Sequence, residues 1–111
     1  MNIDQQSSEI IEQYKKHGWT LSRVLLTGSS RSAVGEGRFS NVPIIESKFD
    51  AAWFTRTSMP GKTTWELRTL SGTPFALLEV IEDAADEASR EDRLKAVEMR
   101  MAESRTRLTG N

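Results

Sequence analysis

Apolar residues recur along this chain with two different periods. Near the start, Ile3, Ile10, Ile11 and Tyr14 fall at i, i+7, i+8 and i+11, one stripe of an α-helix. The spacing predicts a helix over about 3–17, with Ser7 or Ser8 able to cap a shorter version. Lys15, Lys16 and His17 fall in its last turn, where positive charge suits the helix dipole, and Gly18 supplies a left-handed stop. Trp19 to Leu26 then reads as a strand. Residues 27–41, with three Gly and four Ser, read as an irregular connection with room for a short helix within 30–39. Val42-Pro43-Ile44-Ile45 is a short extended piece, and Pro43, which lacks a ladder donor, makes it an edge strand or the start of one.

Between 51 and 81 the period changes to that of strands. Ala51–Thr57, Thr63–Leu70 and Phe75–Ile81 predict an antiparallel meander. Its first turn is Met59-Pro60-Gly61-Lys62, with Pro and Gly where a type II turn wants them. Its second is the breaker cluster Ser71-Gly72-Thr73-Pro74. A two-residue Pro60-Gly61 turn pairs Met59 with Lys62 and sets the register. Phe54 then faces Leu67, Arg56 faces Trp65 and Trp53 faces Arg68. A second turn centred on Gly72-Thr73 sets Leu67 opposite Leu78, Trp65 opposite Val80 and Glu66 opposite Glu79. Residues two apart share a face. One face thus collects Ala52, Phe54, Trp65, Leu67, Ala76, Leu78 and Val80, a core face for the helices to cover, with Arg56 over Trp65 at its margin. The other collects Trp53, Thr55, Glu66, Arg68, Phe75, Leu77 and Glu79. Its Trp53, Phe75 and Leu77 need cover, either from a partner or from the 27–41 connection.

The last element is a long helix, about 84–107. Glu82, Asp83, Asp86 and Glu87 lie at its start and Arg105 and Arg107 at its end, both as the dipole favours. Asp86–Arg90, Glu91–Lys95 and Glu103–Arg107 are acid-first i, i+4 pairs. Its apolar stripe is Leu94, Val97, Met101 and Leu108, while 86–93 is almost wholly charged. Such a helix either packs on its own sheet or projects and pairs with a partner helix. The whole predicts a single α+β domain: an N-terminal helix, an antiparallel sheet of about four or five strands and a long C-terminal helix. That element order resembles small α+β adaptor and secretion-chaperone-like domains, a likeness of fold that carries no function.

Composition narrows the chemistry. The 111 residues suffice for one core, with three Trp, four Phe and one Tyr to fill it. There is no Cys, which removes disulfides, thiolate metal sites and thiol nucleophiles. The single His17 has no assignable partner for acid–base work, and one His without Cys argues against zinc. Net charge is -1. Residues 1–81 carry nine Lys and Arg against eight Asp and Glu, and 82–111 carry six against eight, so no basic stripe suggests nucleic acid. The polar N-terminus shows no signal peptide and no stretch is apolar enough to span a bilayer, so a cytoplasmic location is expected.

One loop stands out. Residues 28–37, rich in Gly and Ser and with Arg31, follow a strand, and backbone N–H groups of such loops can cradle an anion. The loop lacks the Gly-Lys-Ser/Thr ending of a P-loop and has Ser32 where a nucleophile elbow needs its second Gly. Two functions follow. The first is a non-enzymatic interaction or adaptor module acting as a homodimer, using Trp53, Phe75, Leu77, Leu94, Val97 and Met101. The second is a small-anion binder or enzyme using Gly28, Ser30, Arg31 and Arg38. No cofactor or metal is expected for either.

Overall fold

A computed structural model of the chain describes residues 3–34, 39 and 42–108. The elements are α1 (Ile3–Lys16), β1 (Thr20–Leu26), α2 (Gly28–Val34), β2 (Ile44–Glu46), β3 (Ala51–Met59), β4 (Lys62–Thr69), β5 (Ala76–Glu82) and α3 (Glu87–Leu108). The strands form one sheet in the order β2-β1-β3-β4-β5. Every neighbouring pair is antiparallel except β1–β2, which is parallel. The architecture is α+β, with α1 and α2 on one face of the sheet and α3 on the other. The loop after β1 folds as a short helix because Thr27 caps it: its Oγ1 accepts the Ser30 N–H at 3.2 Å and its carbonyl accepts the Arg31 N–H at 2.9 Å.

Met59 pairs with Lys62 across the Pro60-Gly61 turn, as the turn chemistry predicts, and Gly61 takes the left-handed φ of 75°. One residue earlier the ladder slips. Thr57 pairs with Thr63, so Ser58 is the extra residue of a β-bulge. Type II turns splay the strands they join, and a bulge beside the turn restores their twist. The slip moves every later pair by one: Trp53 faces Leu67, Thr55 faces Trp65 and Phe54 faces Glu66. The next hairpin shifts likewise, with Leu77 opposite Leu67, Glu79 opposite Trp65 and Leu78 opposite Glu66.

The expected faces are therefore wrong by one residue in β4. Trp65 and Leu67 join Trp53, Leu25, Ala51 and Ile81 on the face that α3 covers with Leu94, Val97 and Met101. The two indoles meet edge to face at 5.9 Å and 81°. The opposite core gathers Val24, Leu26, Ala52, Phe54 and Leu70 under Ile11 of α1, with Phe39, and Tyr14 stacks on Phe54 at 4.0 Å. Each large side chain so buried contributes about 1.5–3 kcal/mol.

Polar ties fix α3 on its face. Asp86 caps it through the Ser89 N–H at 2.8 Å. Arg23 of β1 grips Glu91 with two hydrogen bonds of 2.9 and 3.0 Å, and the indole N–H of the fully buried Trp53 donates to Glu98 at 2.8 Å. Glu91 and Glu98 lie two turns apart on one side of the helix, so Glu91 ties its charged first half to the sheet although Asp86, Glu87 and Asp92 stay exposed. Asp86 and Glu91 are thus engaged in a cap and a cross-element ion pair.

Buried Asp50 joins three segments. Its carboxylate accepts the Thr27 N–H at 2.9 Å, the Ser30 hydroxyl at 2.7 Å and the Ser71 hydroxyl at 2.9 Å, while its carbonyl accepts the Leu70 N–H. Asp50→Ala leaves these donors without their acceptor and is expected to cost about 2–4 kcal/mol in urea unfolding, with Asp50→Asn costing less. The Arg23 hydrogen bonds hold the Glu91 carboxyl below the usual carboxylate range. A carboxylate with a lowered folded pKa contributes stability above its unfolded value and loses it as pH falls through the folded one. The urea midpoint should therefore drop below about pH 4, and Glu91→Gln should flatten that slope while lowering the midpoint at neutral pH by the equivalent of about 1 kcal/mol.

Candidate functional site

The sheet ends differ. β2 is three residues long and is preceded by Pro43, a short, proline-flanked edge of the kind that resists strand addition. β5 is a seven-residue edge, and no further strand pairs with it among the described residues.

Antiparallel ladders alternate bonded and non-bonded pairs. The Thr69 N–H donates to the Phe75 carbonyl at 3.0 Å, and at the other end the Asp83 N–H donates to the Gly61 carbonyl at 2.9 Å. Odd-numbered residues from Phe75 to Asp83 thus turn their backbone toward β4, and Ala76, Leu78 and Val80 turn theirs outward. The side chains of these three residues share the face on which α1 packs, but α1 lies over β1, β3 and the near side of β4 and leaves Leu78 and Val80 exposed. Leu78 is 57% exposed and Val80 39%. The edge presents apolar side chains and backbone hydrogen-bonding groups together.

One side chain of α3 reaches around to this edge. The Arg93 guanidinium donates to the Glu79 carboxylate at 2.9 Å, to Glu82 at 3.2 Å and to the outward carbonyl of Val80 at 2.7 Å. Hydrogen bonds from its own backbone and from Arg93 hold the Glu82 carboxyl below the ordinary range.

The residues singled out in the sequence fall elsewhere. Trp53, Leu94, Val97 and Met101, expected on a contact surface, are buried against one another in the layer between the sheet and α3. The register slip brings Trp65 and Leu67 onto the face of Trp53, and α3 covers it. Phe75 and Leu77 are half-buried at the margin of the same core. Conversely Leu78 and Val80, expected under a helix, are the exposed pair. Glu66 and Glu79 do not face each other. Glu66 accepts the Tyr14 phenol, whose pKa burial and then this hydrogen bond raise, and Glu79 holds Arg93. Arg56 lies 4.6 Å over Trp19 and donates to the His17 carbonyl at 3.2 Å, while Arg23 sits 5.6 Å over Trp65.

Of the residues expected to bind an anion, Gly28, Ser30 and Arg31 lie on α2. Gly28 is exposed and a Cβ there would touch nothing within 4 Å among the described residues. Ser30 donates to Asp50, Arg31 is exposed, and Arg38 lies outside the described residues. The Asp50 carboxylate sits at the entry to α2, where a bound anion would meet like charge. A cleft of about 190 Å³ between α1 and the β4–β5 turn contains Arg68, but also Glu9, and is smaller than ordinary ligand pockets. Among the described residues no group of three or more His, Asp or Glu could hold a metal ion, and no helix is long and apolar enough to cross a membrane. Comparison with protein-family models, with curated proteins and with solved structures finds no match.

The edge of β5 was hard to see from the sequence because Leu78 and Val80 read as core in the expected register, and nothing local marks Arg93 as their neighbour. Since Asp50 opposes an anion at α2, millimolar phosphate should leave the melting temperature unmoved. A rise that Arg31→Ala abolishes would restore the anion-binding reading.

Proposed function

We propose that this protein is a non-enzymatic interaction module that acts as a homodimer, two copies joining antiparallel along β5 into one continuous sheet. The observation that carries this reading is the exposed Leu78 on an edge strand whose outward backbone groups have no neighbouring strand among the described residues. A symmetric dimer needs a surface complementary to itself. A two-fold axis at Leu78 meets that need: Leu78 faces Leu78 of the other copy, and each Ala76 faces the other's Val80, small against branched. All three outward residues then form bonded pairs, about six hydrogen bonds in all. The bare strip of sheet over Leu78 and Val80 continues across the junction and is shared by both copies. A cysteine-free chain suits the reducing cytoplasm, where we place its action.

Light scattering across micromolar concentrations tests the proposal. The protein should dimerise, and Leu78→Lys should weaken the dimer by about a hundredfold or more, since an apolar side chain is lost from each copy, with the near-ultraviolet circular dichroism unchanged. A dimer indifferent to Leu78→Lys, or a chain that stays monomeric at all these concentrations even as Arg93→Ala, refutes the edge-to-edge arrangement.

A further inference from the structure

We infer that Arg93 is a guard on the β5 edge, holding the Val80 carbonyl against a second strand until it swings aside. The inference rests on the edge-to-edge dimer and names what regulates it. In the two-fold arrangement the Val80 carbonyl must accept the Ala76 N–H of the other copy. That same oxygen now accepts Arg93 at 2.7 Å, the shortest of the three Arg93 contacts. A carbonyl has two lone pairs, but a guanidinium bonded to this one at 2.7 Å takes up room beside the edge, where the incoming backbone has to lie. The guard is anchored on both sides, by Glu79 and Glu82, and these carboxylates can keep the side chain when the carbonyl is given up. Placing a charged side chain over an edge is a means by which sheets avoid unwanted pairing. Here the side chain comes from α3, and its anchors are exposed enough to exchange. Arginine suits the task because its planar fork reaches three acceptors at once, which a lysine ammonium on its flexible stem does not reproduce.

The guard makes dimerisation a competition between Arg93 and the second strand. Three proteins decide it in sedimentation-equilibrium measurements: the natural chain, Arg93→Ala and Arg93→Lys, each checked for native fold by near-ultraviolet circular dichroism. Removing a charged competitor from the Val80 carbonyl of both copies should tighten the dimer by about tenfold or more. Arg93→Lys should fall between, and adding Leu78→Lys to Arg93→Ala should return a monomer. A natural dimer that Arg93→Ala leaves unchanged or weakens overturns the guard and leaves the dimer standing. If the natural chain and Arg93→Ala are both monomeric, guard and dimer fall together. If Arg93→Ala associates but Leu78→Lys does not reverse it, another surface is responsible and the guard is overturned. Should Arg93→Ala lose its native fold, Arg93→Gln, which keeps a polar side chain but ends two atoms short of the guanidinium Nη atoms and is uncharged, carries the same comparison.

Discussion

The pairing register of β3 with β4 is the constraint on which both cores depend. Ser58, unpaired between Thr57 and Met59, sets it. Because successive side chains of a strand alternate between faces, one extra residue exchanges the whole content of the two faces of the partner strand. With the bulge, Trp53, Trp65 and Leu67 lie together and make a deep apolar bed for Leu94, Val97 and Met101. Without it, Trp53 would share its face with Glu66 and Arg68, and α3 would dock on charge.

The two cores are tied down in different ways. Under α3, long charged side chains reach back to the sheet: Glu91 to Arg23 and Glu98 to Trp53. Each tie satisfies a polar group at the border of an apolar layer, which fixes how far the helix sits along the strands. On the other face the fastening is the single carboxylate of Asp50, which gathers the start of α2 and the turn after β4. Tyr14 combines both roles, with its ring on Phe54 and its hydroxyl on Glu66.

Much of this was legible in the residues and some was not. Helical periodicity marks α1, and Gly18 with its left-handed φ of 87° ends it as composition suggests. The Pro60-Gly61 turn and the three strands of the meander are equally plain. The faces were misread because a bulge has no composition of its own: Ser58 looks like any strand residue, and only the mismatch between turn geometry and strand twist calls for it. The role of α3 was ambiguous for another reason. Acidic and basic residues at 86–93 read as a solvated helix, yet Glu91 and Arg93 both make contacts far away in the sequence. The edge exposed at Leu78 depends on strand order, which local pattern does not encode.

That α3 follows the meander in the chain has a consequence for synthesis. A chain emerging from its N-terminus completes the meander, built from neighbouring segments, before Glu87–Leu108 is available. During that interval Trp53, Trp65 and Leu67 lack their cover, and the Val80 carbonyl lacks Arg93. The nascent domain is therefore most adhesive after its meander has formed and before α3 has emerged to cover it.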